Sequence, residues 1–204
     1  MNNSDEWGVA MQGCAGVITS SINIALNEAD KSKPLIYIEI GIGEGKTLRQ
    51  VCKLFTELNI DFRVLGVDIV DGWTLNLDEF IENIKKYQDK VMYDLAGSPT
   101  ALENIEGETV FIVLIDGDHT LEAVIEDFKQ ADRILQRGGL IMFHDSDEEC
   151  QGADAFERQP KGIQVREAIE NLGLIEGNEN YELIIDHPGN PELGNRGIFI
   201  VRKR

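Results

Sequence analysis

Acids and imidazoles recur in this chain where apolar runs stop. The run over residues 35–40 carries Glu39 near its end, and the run beginning at Phe62 stops at Asp68. The run over 110–115 stops at Asp116-Gly117-Asp118-His119, and that over 140–143 at His144-Asp145-Ser146. Carboxylates bind hard divalent cations, and a cation held beside a hydroxyl lowers that hydroxyl's pKa. An imidazole, with an unperturbed pKa of about 6.5, can take the released proton. Such groups together can turn a hydroxyl into a nucleophile, and positioning is the main task that remains. An acid at the tip of a second strand can also accept two hydrogen bonds from a ribose diol, which makes Asp68 a candidate for an adenosine ligand.

The first of these runs leads into Glu39-x-Gly41-x-Gly43-x-Gly45. Glycine lets a backbone turn sharply and approach a ligand, because no Cβ intervenes. From Thr47, residues Leu48, Val51, Cys52, Phe55 and Leu58 fall on one helical face. A buried strand, a glycine turn and a helix with free N–H groups at its start form a nucleotide-sized corner. A tight strand-to-helix turn with no ligand explains the glycines equally well. The dinucleotide fingerprint requires glycine at its first, third and sixth positions, and here the sixth is Lys46.

The elements that must hold these residues alternate. Trp7, Met11, Cys14, Ile18, Ile22 and Ala25 predict a helix over residues 5–28, either a cap over a ligand site or a packing helix. Leu77, Phe80, Ile81 and Ile84 predict a helix ending near Tyr87, followed by a strand over 90–95 and a short helical piece over 100–104. Asp71-Gly72-Trp73 predicts a turn whose tryptophan either lines a pocket or anchors the core. The run 110–115 does not alternate, as expected of a strand buried on both faces. Leu121, Val124, Ile125, Phe128, Ala131 and Leu135 predict a helix closed by Gly138-Gly139. Residues 146–161 are polar and acidic and predict a lid-like loop. A helix over 165–172 and two strands over 181–185 and 197–201 complete the chain. The short connection around His187 predicts that the last two strands pair antiparallel. The expected fold is therefore α/β, a doubly wound, Rossmann-like sheet of about seven strands, mostly parallel, with helices on both faces. It forms one domain over 1–204, with an N-terminal helical extension over 1–33. Ligands of such sheets sit beyond the carboxyl ends of the strands, where Glu39, Asp68, Asp116, His119 and Asp145 all fall.

Composition narrows the function. With 42% hydrophobic and 27% charged residues, the chain is globular. A formal net charge of -18 argues against nucleic acid and anionic membrane surfaces as partners. Three cysteines, Cys14, Cys52 and Cys150, do not make a disulfide framework. No basic leader precedes an apolar stretch and no run reaches membrane-spanning length, so a reducing cytoplasm is expected.

The glycine motif resembles the first motif of class I S-adenosylmethionine-dependent methyltransferases. The segments around Asp116-Gly117-Asp118-His119, Asp127 and Gly138–Asp145 resemble the metal-dependent small-molecule O-methyltransferases, especially the branch acting on sugar hydroxyls. The resemblance covers roughly residues 35–145. It implies S-adenosyl-L-methionine as cofactor, held by Glu39, Gly41, Gly43, Gly45, Asp68, Asp116 and the loop carrying Gly97 and Ser98. It implies a divalent cation, Mg2+ or another, on Asp116 and Asp145, and His119 as general base. Its substrate would be a small hydroxylated molecule, and a homo-oligomer is compatible with it. Catechol-type relatives carry Asn after the fifth-strand Asp, where this chain has Ser146, so Asp147 or water would have to complete the shell.

Other assignments compete residue by residue. Asp118 is expected to cap the following helix, and His119 could do the same. His144 precedes Asp145 on a strand, so alternation predicts opposite faces and a structural role for His144. His187 is expected exposed in a turn, and Asp127 either pairs with a base or faces water. Three further functions remain: a nicotinamide-dependent oxidoreductase, disfavoured by Lys46; a catalytically silent adenosyl-ligand-binding domain; and an iron oxygenase using two histidines and a carboxylate, disfavoured by the strand-face argument.

Overall fold

A computed structural model describes residues 14–69, 76–147, 161–175, 178–189 and 196–204. Trp73, the stretch before Cys14 and most of the expected lid lie outside the described residues. The element order is α1 (Ala15–Leu26), β1 (Leu35–Ile40), α2 (Lys46–Glu57), β2 (Phe62–Val67), α3 (Leu77–Ile84), β3 (Val91–Asp94), α4 (Ser98–Leu102), β4 (Val110–Ile115), α5 (Leu121–Ile134), β5 (Leu135–His144), α6 (Lys161–Asn171), β6 (Tyr181–His187) and β7 (Ile198–Lys203). A 3-10 turn over Lys85–Tyr87 extends α3.

The strands form one seven-stranded sheet in the order β3-β2-β1-β4-β5-β7-β6. Pairings among β1 to β5 are parallel, and β7 runs antiparallel to both β5 and β6. This is the doubly wound sheet that the alternating elements predict. The residues of β4 are buried throughout, because the strand lies at the centre with helices over both faces.

Two apolar layers flank the sheet. One packs Ile18 and Ile22 of α1 and Leu48, Val51, Cys52 and Phe55 of α2 against Tyr37, Leu114 and Met142. The other packs Val124, Phe128 and Ala131 of α5 and Val165 and Ile169 of α6 against Ile38, Val113, Ile141 and Phe143. Successive strand residues alternate between these layers. Glu39, two residues after Tyr37, and His144, two after Met142, therefore face the α1–α2 side.

One expected helix ending is corrected. The helix α5 stops at Ile134, and Gly138-Gly139 lie inside β5 rather than beyond a helix end. The pairing jumps from Val110–Leu135 to Ile112–Leu140, so β5 carries extra residues there. Gly138 has φ +79, and a Cβ on Gly139 would meet the Phe111 carbonyl oxygen at 2.7 Å. The glycines serve a bulge. The sequence signal of a bulge and that of a helix cap are the same: a residue free to take positive φ.

Glu39 is 2% exposed, and its Oε2 accepts a bond from the Tyr37 hydroxyl at 2.7 Å. Burial raises its pKa from 4.5 to about 8 against the lowering effect of the Tyr37 bond, and Asp116 and Asp68 add to the rise. A raised pKa means that the protonated form contributes stability at acid pH, and that this contribution is lost as pH climbs from 4.5 towards about 8. Relative to Glu39→Gln, the wild-type protein should lose up to about 1.4 kcal/mol per pH unit within that window, read by urea unfolding. Parallel pH profiles would show Glu39 ionised throughout.

Glycine is required after β1. Gly41 has φ +86, and a Cβ there would lie 2.0 Å from the Asp116 carbonyl oxygen. Gly41→Ala should cost at least about 3 kcal/mol in urea unfolding. Gly138→Ala, also at positive φ but in open space, should cost about 1 kcal/mol. Equal costs would mean that the close approach to Asp116 contributes nothing.

Candidate active site

The glycine turn is held from beneath. Asp68 Oδ2 accepts from the amides of Ile42 at 2.8 Å and Gly43 at 3.0 Å, and its Oδ1 accepts from Ile69 N at 2.8 Å. The backbone amide of Gly41 reaches the Val67 carbonyl at 2.8 Å. Gly43 and Gly45 have φ +46 and +71, and Gly45 is the N-cap of α2. Bare backbone is thus presented between the tips of β1 and β2, with a carboxylate fixing its shape. Oδ2 is filled by two amides, while Oδ1 keeps a further lone pair, and the site fits the ribose and methionine portions of an adenosyl ligand.

The turn lies against the segment after β4. Gly41 and Gly117 approach so closely that a Cβ on either would crowd the other strand tip. Beyond this contact, Asp116, His119, His144 and Asp145 come together. His144 Nδ1 lies 2.9 Å from Asp116 Oδ1 and 3.2 Å from Asp145 Oδ1. His119 Nε2 lies 3.4 Å from Asp116 Oδ1 and 3.3 Å from Asp145 Oδ2. Arg196 Nη1 reaches Asp145 Oδ2 at 3.4 Å.

The strand-face expectation for His144 is overturned. Ile115 pairs with Phe143 in parallel register, so Asp116 and His144 are the next neighbours on one face. Asp145 should then point away, but its φ of +55 leaves the strand conformation and brings its carboxylate back. Alternation holds only while the backbone stays extended, and a positive φ at a non-glycine residue carries no sequence signal here. The ground for setting aside a two-histidine site therefore fails.

Burial makes the cluster electrostatically tight. Burial alone would raise the Asp116 pKa, but His144 and, after it, His119 outweigh it and hold Asp116 below the ordinary carboxylate range. Burial alone would lower His144, but Asp116 and Asp145 outweigh it and hold the imidazole well above its usual pKa. Cys14, at the start of α1, lies against the His144 ring, so the N-terminal helix packs over this side of the cluster. His119 Nε2, His144 Nε2 and Asp145 Oδ1 are buried without a hydrogen-bond partner. Leaving such groups unmatched is costly, and an orphaned carboxylate oxygen beside an orphaned imidazole nitrogen fits a bound cation. Among the described residues, Asp116, His144 and Asp145 offer ligand atoms within 4.8 Å of one another.

The remaining candidates are placed as follows. Gly97 is exposed at the N-cap of α4, while the Ser98 hydroxyl turns inward and donates to Asp127. Asp127 neither faces water nor pairs with a base: it is buried on α5, and burial, against the Ser98 bond, lifts its pKa to about 6. Asp118 accepts from Thr120 N at 2.9 Å and shapes the turn ahead of α5. The Asp147 carboxylate accepts from Gly189 N, so it ties down the turn after β6 rather than completing the acid cluster. His187 ends β6, half-buried, rather than lying exposed in a turn. Arg196 and Cys14 were missed because an arginine in a turn-rich loop and a cysteine on an apolar helix face carry no distinctive pattern. A cleft of about 420 Å³ lined by Arg137, Tyr181 and Lys203 opens at the opposite end of the parallel strands and takes no part in this cluster.

Known proteins agree with this architecture. A family model described as a methyltransferase domain matches residues 38–146. The chain is 24% identical over 159 residues to malonyl-[acyl-carrier protein] O-methyltransferase 2 of Ilyobacter polytropus, covering 74% of this chain and 51% of that protein. It thus spans about half the length of that curated relative. A putative O-methyltransferase from Klebsiella pneumoniae superposes with a TM-score of 0.68 at 16% identity, over 93% of this chain and 80% of that one. An O-methyltransferase from Bacillus cereus, solved with S-adenosylhomocysteine, gives 0.63 at 15% identity, over 92% and 90%. The glycine turn, the acid beneath it and the strand order all lie within the matched fold, and the chain belongs to the methyltransferase-domain family, with the fold of the class I S-adenosylmethionine-dependent enzymes.

Proposed function

We propose that this protein transfers a methyl group from S-adenosyl-L-methionine to a hydroxyl of a small molecule or sugar, assisted by a divalent cation at Asp116 and Asp145. The observation that carries the reading is the contact between the glycine turn and the segment after β4. It sets an adenosyl-sized corner beside a buried acid–imidazole cluster. A cation bound there would polarise the substrate oxygen and lower its pKa. The chain's own residues do the rest. Asp68, with the amides it holds, orients the nucleoside. Gly41, Gly43 and Gly45 let the methionine portion lie on bare backbone, and Gly97 borders the adenine side. Glu39 lies behind the turn as a buried acid.

His119 Nε2 is the proton acceptor. It is buried and lacks a hydrogen-bond partner, and carboxylate oxygens lie 3.3 and 3.4 Å away. Both carboxylate oxygens face Nε2 and can accept a hydrogen bond from it once it carries the proton. Once the hydroxyl loses its proton, the oxygen attacks the sulfonium methyl in line, and the methyl–sulfur bond breaks to leave S-adenosylhomocysteine.

The setting follows from charge and composition. A net charge of -18 supports a small substrate over nucleic acid or an anionic membrane. No described helix is long and apolar enough to cross a membrane. Cys14 and Cys52 are buried and not in a disulfide, which suits a reducing cytoplasm. Residues 1–204 act as one unit.

The test is methyl transfer to a panel of catechols, phenols and sugars, with cofactor binding measured in parallel. His119→Ala should lower turnover by about 10²–10⁴-fold and leave S-adenosylhomocysteine affinity unchanged. Asp68→Ala should weaken that affinity at least tenfold. Wild-type turnover in the first variant would remove the base assignment. Binding of NAD(H) without S-adenosylhomocysteine would replace the reading with an oxidoreductase, and cofactor binding with no transfer across the panel would favour the silent domain.

A further inference from the structure

We infer that His144, through Nδ1, is a third protein ligand of the cation at Asp116 and Asp145, and that it biases the site towards Mn2+, Co2+ or Zn2+ over Mg2+. The inference rests on the proposed function in one respect, that these carboxylates hold a cation.

Geometry carries the assignment. Donors bound at about 2.0–2.2 Å to a common cation stand about 2.8–3.1 Å apart on an octahedron and about 3.3–3.6 Å apart on a tetrahedron. His144 Nδ1 stands 2.9 Å from Asp116 Oδ1 and 3.2 Å from Asp145 Oδ1. A proton on Nδ1 does not satisfy the cluster, because Asp145 Oδ1 remains buried without a hydrogen-bond partner. His144 and Asp145 are each 2% exposed, so water has little access to make good the deficit. The opposing chain elements hold the ring in place: β5 fixes its backbone, and Cys14 at the N-cap of α1 lies against the ring. Such outer contacts are how proteins orient an imidazole ligand. His119 Nε2 stands at similar distances, 3.4 Å from Asp116 Oδ1 and 3.3 Å from Asp145. It faces the other Asp145 oxygen, Oδ2, however, and is not one of the three mutually close donors, so it stays available for the proton.

Ligand chemistry carries the selectivity. Mg2+ takes oxygen donors and keeps several waters, whereas imidazole suits the later first-row metals. Two carboxylates and one imidazole make a site of intermediate softness. Ser146 follows Asp145 and contributes a hydroxyl, a poor ligand, so nitrogen from the preceding residue completes the protein set instead.

The experiment uses full-length protein labelled with 15N-histidine, loaded with Mn2+ and read by pulsed electron paramagnetic resonance. Calorimetric affinities for Mn2+ and Mg2+ are measured on the same samples. The wild type should show histidine nitrogen coupling. His144→Asn should abolish it, while His119→Asn and His187→Asn should retain it; these retained couplings decide the assignment if His144→Asn does not fold. His144→Asp should still bind Mn2+ but lower the Mn2+ to Mg2+ affinity ratio at least tenfold. Absence of Mn2+ binding or of nitrogen coupling in the wild type overturns the inference. So does coupling that survives in His144→Asn, or an unchanged ratio in His144→Asp. Methyl transfer assayed alongside separates the two claims: transfer without nitrogen coupling sinks the ligand assignment alone, and coupling without transfer sinks the enzymatic reading alone.

Discussion

Buried charge at the carboxyl ends of three adjacent strands is the constraint on which the site depends. β1, β4 and β5 lie side by side and parallel, so Glu39, Asp116 and His144 face the same layer. Removing such groups from water costs several kcal/mol each unless they are compensated. The structure compensates in different ways. Glu39 is kept neutral by burial beside Tyr37. Asp116 and Asp145 lie beside His144, His119 and Arg196. The compensation is incomplete, and the atoms it leaves orphaned mark where a cation would sit.

The adenosyl corner is coupled to this cluster through backbone alone. Gly41 has no room for a side chain because the peptide after Asp116 occupies that space. The first glycine of the turn therefore does two things: it frees the backbone for a ligand, and it lets two strand tips touch. Asp68 completes the arrangement by bonding two amides of the turn. The proposed donor site and the proposed base are thus adjacent through the strand order itself.

Much of this was legible in the sequence. The unbroken apolar run of β4, the glycine turn and the alternation of helices and strands specify a doubly wound sheet, because each follows from local burial and backbone freedom. The acids at the strand tips could be named for the same reason. Asp145 and Gly138-Gly139 show where reading stopped. A positive φ at an aspartate defeats strand alternation, and it brought His144 and Asp145 together instead of apart. A glycine pair can end a helix or form a bulge, and the choice depended on the register between β4 and β5. Asp127 likewise could not be placed, since its partner Ser98 is 29 residues away. Each of these depends on long-range contact rather than on neighbouring residues.

The account is tested most directly by a crystal structure grown with S-adenosylhomocysteine. The nucleoside should lie across the Gly41–Gly45 turn with its ribose hydroxyls beside Asp68, and its sulfur should face the Asp116–His119–Asp145 cluster. A crevice that stays empty at saturating ligand, or a nucleoside bound elsewhere on the sheet, would contradict it.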